Sequence, residues 1–271
     1  MEFINDLGAT MMCSRSDPDA KPYELLYFPI SGLAEPIRLA LALGGLEFID
    51  TTPQTDETFA DRKAALSPYG AAGQVPVLVL PDGTTAICQS RAILRYLGKI
   101  VRYEGAFLYP TEPMEAWACD ALMDLVEDMQ APIRATLRDR IPDQAEKEAA
   151  RAALLAPEGT IGKWLKVIDG VLAEDEMTTL TIGHLYCYSI CNLFRQPTFL
   201  DGCPPNLYDD YANINKHHDW VATMPEIKAY FETKEGRDNF KPLAPANGAA
   251  AEGEAPKEDE AAAEAPEEAA R

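Results

Sequence analysis

The stretch QVPVLVLPDGTTAICQSRAILRYL, residues 74–97, decides how this chain is read. Val75-Pro76-Val77-Leu78-Val79-Leu80 is an apolar run of strand length, Pro81-Asp82-Gly83 is a turn, and Thr84 to Cys88 is the returning strand of a hairpin. Behind the hairpin Ile93, Tyr96, Leu97 and Ile100 fall at i, i+3, i+4 and i+7, which predicts a helix from about Gln89.

Upstream, YELLYF (23–28) reads as a strand ended by Pro29. Leu33 to Leu43 has a helical composition and stops at Gly44-Gly45. LEFIDTT (46–52) is a second strand ended by Pro53, a helix fits Asp56 to Leu66, and Ser67 to Gly73 is a loop. The order is β-α-β-α-β-β-α. After Tyr109-Pro110 the strand signals stop, and helical segments follow over Glu112–Arg140, Gln144–Ala156, Ile161–Leu172, Leu185–Phe194, Leu207–Met224 and Pro225–Phe231. Two composition regimes meet near residue 105, so a small mixed domain (22–104) precedes an all-helical one (105–242). Residues 1–21 show no sustained period and read as a disordered extension. Residues 243–271 are almost all Ala, Glu, Pro and Gly and read as a disordered acidic tail.

The chain carries 24 Lys and Arg against 44 Asp and Glu, a net charge of -20. That balance argues against non-specific binding of nucleic acid, which needs clustered cations. The longest apolar runs are too short to span a bilayer. The opening residues lack the basic start and apolar core of a signal peptide, while a short transit peptide stays open; a cytoplasmic location is expected. Six cysteines (Cys13, Cys88, Cys119, Cys187, Cys191 and Cys203) form no CxxC pair and have no His at ligand spacing. No metal is expected, and buried free thiols are. His217 and His218 are expected to pack or face solvent as neutral groups, and Trp117, Trp164 and Trp220 to anchor a core or an interface.

Three segments carry a family resemblance: LLYFPISGLAEPIR (25–38), QVPVL followed by ICQSRAILRYL, and MPEIKAYFE (224–232). They resemble the cytosolic glutathione transferases, within the tyrosine-type group of sigma, mu and alpha classes and closest to sigma. The resemblance spans Tyr23 to Pro242. It implies an α/β plus all-α architecture, with a thioredoxin-like glutathione-binding domain before an all-helical substrate domain. It also implies a homodimer that uses glutathione as co-substrate, with no other cofactor. The implied activity is conjugation of the glutathione thiolate to hydrophobic electrophiles. Two alternatives stay open: a glutathione-dependent isomerase of the prostaglandin-D-synthase type, and a catalytically silent carrier or structural protein of the same fold.

The resemblance also assigns residues. Tyr27 matches the catalytic tyrosine: a thiol with pKa near ~8.5 is mostly protonated at neutral pH, and a hydroxyl donating to sulfur favours the thiolate. Taken alone it is a half-buried strand tyrosine. Pro76 matches a cis-proline that exposes the backbone of Val75 to the cysteinyl part of glutathione; the alternative is a strand-opening trans proline. Gln89 and Ser90 stand at a helix start, where Ser90 either binds the γ-glutamyl carboxylate or serves as an N-cap. Phe59 and Lys63 match a Trp and a Lys beside the glycyl carboxylate; Phe59 lacks the indole donor, and Lys63 reads equally as a solvated lysine. Gln74 replaces a frequent Lys. Asp128 matches an acid that reaches glutathione across the dimer, or it belongs to a solvated acidic face with Asp124. Phe28, Leu33, Met123, Glu127 and Arg134 are expected to line the site for the hydrophobic substrate. Leu33 stands where sigma and alpha enzymes carry Arg and mu enzymes carry Leu. At Thr181 the family usually has an Asp three residues on. Here that position is His184, so loss of a capping box worth about 0.5–2 kcal/mol is expected.

Overall fold

A computed structural model describes residues 21–53, 55–66, 73–136, 140–195, 200 and 202–232. But for Lys21 the two expected terminal extensions lie outside it, as do the loop at 67–72 and Cys13.

The first half is a four-stranded mixed sheet in the order β2-β1-β3-β4 with its helices. β1 (Tyr23–Leu26) pairs parallel with β2 (Phe48–Thr51) through the crossover helix α1 (Glu35–Leu43), which follows a 3-10 turn at Gly32–Ala34. Helix α2 (Phe59–Ala65) precedes β3 (Val77–Val79), which runs antiparallel to both β1 and β4 (Ala86–Cys88). The hairpin turn is held by Asp82, which accepts the N–H groups of Thr84 and Thr85 and the Thr85 hydroxyl. Helix α3 (Ser90–Gly98) closes the unit, with Ile93, Leu94 and Leu97 fully buried. Each such side chain contributes about 1.5–3 kcal/mol of apolar burial.

The observed elements are shorter than expected at nearly every end. α2 begins at Phe59 rather than Asp56, because Asp56 spends its carboxylate on Thr58 and Arg62 in the turn before the helix. A second hairpin is new: β5 (Arg102–Tyr103) and β6 (Ala106–Phe107) turn through Glu104 and Gly105, both at positive φ. Two-residue strands are too short for alternation to reveal them.

The second half is helical: α4 (Pro113–Gln130), a 3-10 segment (Ala131–Thr136), α5 (Gln144–Leu155), α6 (Thr160–Ala173), α7 (Ile182–Phe194), α8 (Ala212–Ala222) and α9 (Pro225–Glu232). The single helix expected over Glu112–Arg140 therefore leaves α geometry at Gln130, just ahead of Pro132, which has no N–H to continue the i→i−4 ladder. Every residue of α7 is buried. Gly183 lets it approach α4, since a β-carbon there would lie 2.8 Å from the Cys119 carbonyl oxygen. α1 packs against α3, α7 and α9, which joins the two halves in one core. Among the described residues no helix is long and apolar enough to cross a membrane.

The expected loss of the cap at α7 is overturned. Thr181 Oγ accepts the His184 N–H (3.4 Å), and His184 Nδ1 accepts the Thr181 N–H (3.1 Å), which is a complete capping box with histidine in the acid's place. The imidazole substitutes because its second nitrogen is held in turn: Nε2 lies 2.8 Å from Asp175 Oδ2. His217 and His218 are both buried, so the solvent-facing alternative does not hold. Trp117 is exposed on α4, whereas Trp164 and Trp220 pack on the core.

Candidate active site

Between the sheet domain and α4 lies a cavity of about 600 Å³. Its first-domain wall contains Phe28, Leu33, Lys63, Gln74, Val75, Pro76, Gln89 and Ser90, and its second-domain wall contains Glu127 and Arg134. The fold thus brings ten of the expected residues to one space. The cavity also includes Gly73, Cys88 and Arg91, which the sequence reading did not single out.

Four expected residues are not on that wall. Phe59 is buried in a small cluster with Leu26, Val77, Val79 and Ala86, because it faces the sheet from α2. It supports the site at one remove: its ring packs on Phe28, over which Lys63 Nζ sits 5.9 Å from the centroid. Met123 is fully buried, its position on α4 pointing into the helical core with Leu122 and Val126. Asp128 is exposed on α4, outside this chain's cavity. Tyr27, only 7% exposed, lies behind the wall.

The Tyr27 hydroxyl nevertheless meets the cavity's edge. It accepts the backbone N–H of Leu33 at 3.0 Å, and Leu33 is a wall residue. Tyr27 continues the strand, its own N–H donating to Thr51 O, while Gly32 at φ +43 turns the chain back over the ring. Burial pushes the phenol's pKa up, against the lowering effects of the Leu33 N–H and the Arg38 charge. The group is a neutral hydroxyl at neutral pH, with its proton available for donation.

Sequence reasoning missed what holds this loop. Arg38, fully buried on α1, is bonded through Nε and Nη2 to Asp50 on β2 and through Nη1 to Glu35. Nη1 also donates to the carbonyls of Ile30 (2.9 Å) and Ser31 (3.3 Å). The guanidinium therefore staples the segment between Phe28 and Leu33 to the sheet. The only trace in the sequence is a cation inside the otherwise apolar run IRLALAL.

At the opposite end, Gln89 adopts φ +72 and is the N-cap of α3, though its side chain makes no capping bond. Ser90 is consequently the first helical residue rather than the cap. Its free N-terminal amides and dipole favour an anion. The Val75–Pro76 bond is cis. Arg91 pairs with Asp124 across the domains. On the far wall Glu127 takes bonds from Arg134, Gln130 and the Tyr186 hydroxyl, which together hold its carboxyl below the usual range against burial. Among the described residues no group of three or more His, Cys, Asp or Glu could hold a metal ion. Cys187 and Cys191 lie 4.0 Å apart, buried on α7 and far along the chain from these walls.

Residues 30–100 match the family model described as the N-terminal domain of glutathione S-transferase. A glutathione S-transferase of Anopheles gambiae is 33% identical over 213 residues, covering 77% of this chain and 94% of its own length. Among solved structures, prostaglandin synthase D of Nilaparvata lugens superposes with a TM-score of 0.63 at 28% identity, over 79% of this chain and 98% of that one. A monomeric glutathione S-transferase of Necator americanus, Na-GST-3, superposes with a TM-score of 0.59 at 25% identity, over 79% and 97%.

Proposed function

The chain belongs to the glutathione S-transferase family, and from that premise we propose that it joins the glutathione thiolate to an electrophilic carbon, with Tyr27 as the group that stabilises the thiolate. The observation that carries this reading is the Tyr27 hydroxyl. It accepts the Leu33 N–H at the cavity's edge while keeping its own proton, which among the described residues has no protein acceptor. A neutral phenol donating to sulfur stabilises the anion, and each unit by which the thiol pKa falls corresponds to about 1.4 kcal/mol.

In the proposed complex the γ-glutamyl carboxylate occupies the N-terminus of α3 at Gln89 and Ser90. Lys63 offers its charge to the glycyl carboxylate. Gln74, Val75 and Pro76 supply the backbone edge beside the cysteinyl part, Val75 lying just before the paired residues of β3. The thiol proton leaves to solvent, a C–S bond forms, and the leaving group departs with its electron pair. Phe28, Leu33, Glu127 and Arg134 surround the second substrate. No resident cofactor is involved.

Because Asp128 is exposed outside its own cavity, a role for it toward glutathione requires a second copy of the chain. We propose a homodimer acting in the cytoplasm. Exposed Met114 and Trp117 on α4 supply an apolar face for self-association, and light scattering on a sizing column distinguishes this from a monomer. A glutathione-dependent isomerase is the second reading, favoured by the likeness to the Nilaparvata lugens synthase.

The test is titration of thiolate absorbance in the glutathione complex, with turnover of 1-chloro-2,4-dinitrobenzene, in the parent and Tyr27→Phe. The expected result is a raised thiol pKa and lower turnover in the variant. An unchanged pKa removes Tyr27 from the role, and retention on immobilised glutathione without turnover indicates a carrier.

A further inference from the structure

We propose that the preferred second substrate carries a carboxylate, and that Arg134 selects it; the inference rests on the transferase reading and names the substrate class for it. The chain as a whole is strongly acidic, yet the charged side chains among the described lining are Lys63, Arg91, Arg134 and a single acid, Glu127. Their hydrogen bonds decide which charges remain available. Arg91 pairs with Asp124 through Nη1 and follows Ser90 at the start of α3, so it and Lys63 stand on the first-domain side, where glutathione's own carboxylates lie in the proposed complex.

Arg134 is left to face the second substrate. Its partner Glu127 has little accepting capacity to spare: Oε1 receives Arg134, and Oε2 receives Gln130 Nε2 (2.6 Å) and the Tyr186 hydroxyl (2.8 Å). Those three bonds use most of a carboxylate's roughly four lone-pair sites. Tyr186 is itself saturated, accepting Gln130 Nε2 at 2.7 Å while donating to Glu127. Gln130 and Tyr186 are both buried, so the assembly behind the wall is fixed.

Among the described residues Arg134 engages only Nη2, and its side chain is 48% exposed. The spare hydrogen-bonding capacity on this wall is therefore almost wholly donor: Nε and Nη1 of a guanidinium clamped at its other nitrogen. A guanidinium has no acceptor and matches a planar carboxylate through two parallel bonds. An apolar electrophile would leave those donors unpaired as the cavity dries, whereas a carboxylate would pair them.

A matched pair of probes tests this: 4-chloro-3-nitrobenzoate and 4-chloro-3-nitrobenzamide. They share the reacting carbon, where the C–S bond forms and the C–Cl bond breaks with chloride taking the electron pair. Binding of each is measured by calorimetry with S-methylglutathione present, which cannot react, and kcat/KM is measured separately with glutathione. We expect the benzoate to be favoured about tenfold in both measurements, the scale of one charge-assisted hydrogen bond. The preference should shrink as salt rises, collapse in Arg134→Gln and survive in part in Arg134→Lys. Equal binding of the two probes, or a preference that persists in Arg134→Gln, overturns the proposal. Preferential binding without turnover upholds it and removes the transferase reading; turnover of both probes at equal kcat/KM does the reverse.

Discussion

Gly32 has no room for a side chain because Tyr27 occupies it: a β-carbon on Gly32 would lie 2.5 Å from the tyrosine hydroxyl and 3.1 Å from the ring. The backbone there is also left-handed, at φ +43. The glycine and the tyrosine are therefore one device. Gly32→Ala is expected to destabilise the fold by about 1–3 kcal/mol and to displace the hydroxyl from the Leu33 N–H, raising the pKa of bound glutathione's thiol. Gly105→Ala is the control, since its φ is +88 but nothing lies within 4 Å. It should cost stability and leave the thiol pKa alone. Urea denaturation and thiolate absorbance check both.

Arg38 gives a larger effect by a different route. Replacing it with Met leaves Asp50 and Glu35 without their cation in a dry setting, and losses of this kind run to about 3–5 kcal/mol. The loop at 28–31 loses its staple at the same time, so turnover should fall more than the folded fraction does. Asp50→Asn in the Arg38→Met background should recover part of the stability, and chemical denaturation of the three proteins is the measurement.

His217, buried on α8 against His184, makes the protein acid-sensitive in a defined window. Burial lowers the His217 pKa to about 3, whereas the unfolded side chain titrates near ~6.5. The unfolded state therefore binds the extra proton between those values. Stability is fully present above pH 6.5 and is lost as pH falls toward 3, with a slope of at most about 1.4 kcal/mol per pH unit. Asp175, held at about 2 chiefly by its bond from His184, adds a loss below its ordinary carboxylate range. His217→Leu should flatten the upper part of the profile, and Asp175→Asn only the lower; melting temperature against pH resolves the two.

Glutathione affinity should divide between the two ends of the cavity. Ser90→Ala removes a hydroxyl from the N-terminus of α3, and Lys63→Ala removes the charge beside Phe28. A hydrogen bond to a charged group is worth about 1.5–3 kcal/mol, so each change is expected to weaken binding about tenfold or more. The two should combine additively, because they sit on separate elements. Calorimetric titration with glutathione checks this.

The order of strands and helices in the first half was legible because each element carries its own period and its own stop, from Pro29 through Gly44-Gly45 to Pro81-Asp82-Gly83. The cavity wall at Gln74–Pro76 and Gln89–Ser90 was legible through the family resemblance of QVPVL and ICQSRAILRYL, and for Gln89–Ser90 also because a helix begins there. Phe59 and Met123 lie off the cavity wall because a match or a spacing along a helix gives a face without saying what lies opposite. Met123 and Glu127 share a face by number, yet one points into the core and the other into the cavity. His184 was misread as a lost cap because its second partner, Asp175, comes from the loop before α7. Arg38 needed the tertiary fold, since only Glu35, three residues earlier on α1, is a local partner, whereas Asp50 and the carbonyls of Ile30 and Ser31 meet it once α1 lies on the sheet.

The Arg38 staple also has a sequel in time. Tyr230 on α9 is buried close enough to Glu35 to influence its carboxyl, and α9 packs against α1. The ion pair that holds the loop after Tyr27 is thus roofed by residues made almost two hundred positions after it. A nascent chain can form its sheet early, but the segment from Phe28 to Leu33 stays wet, and its tyrosine unset, until the last of these helices has been synthesised and docked. Competence for the proposed thiolate chemistry is therefore deferred until α9 has been made, although the residues assigned to it are among the first of the fold to be made.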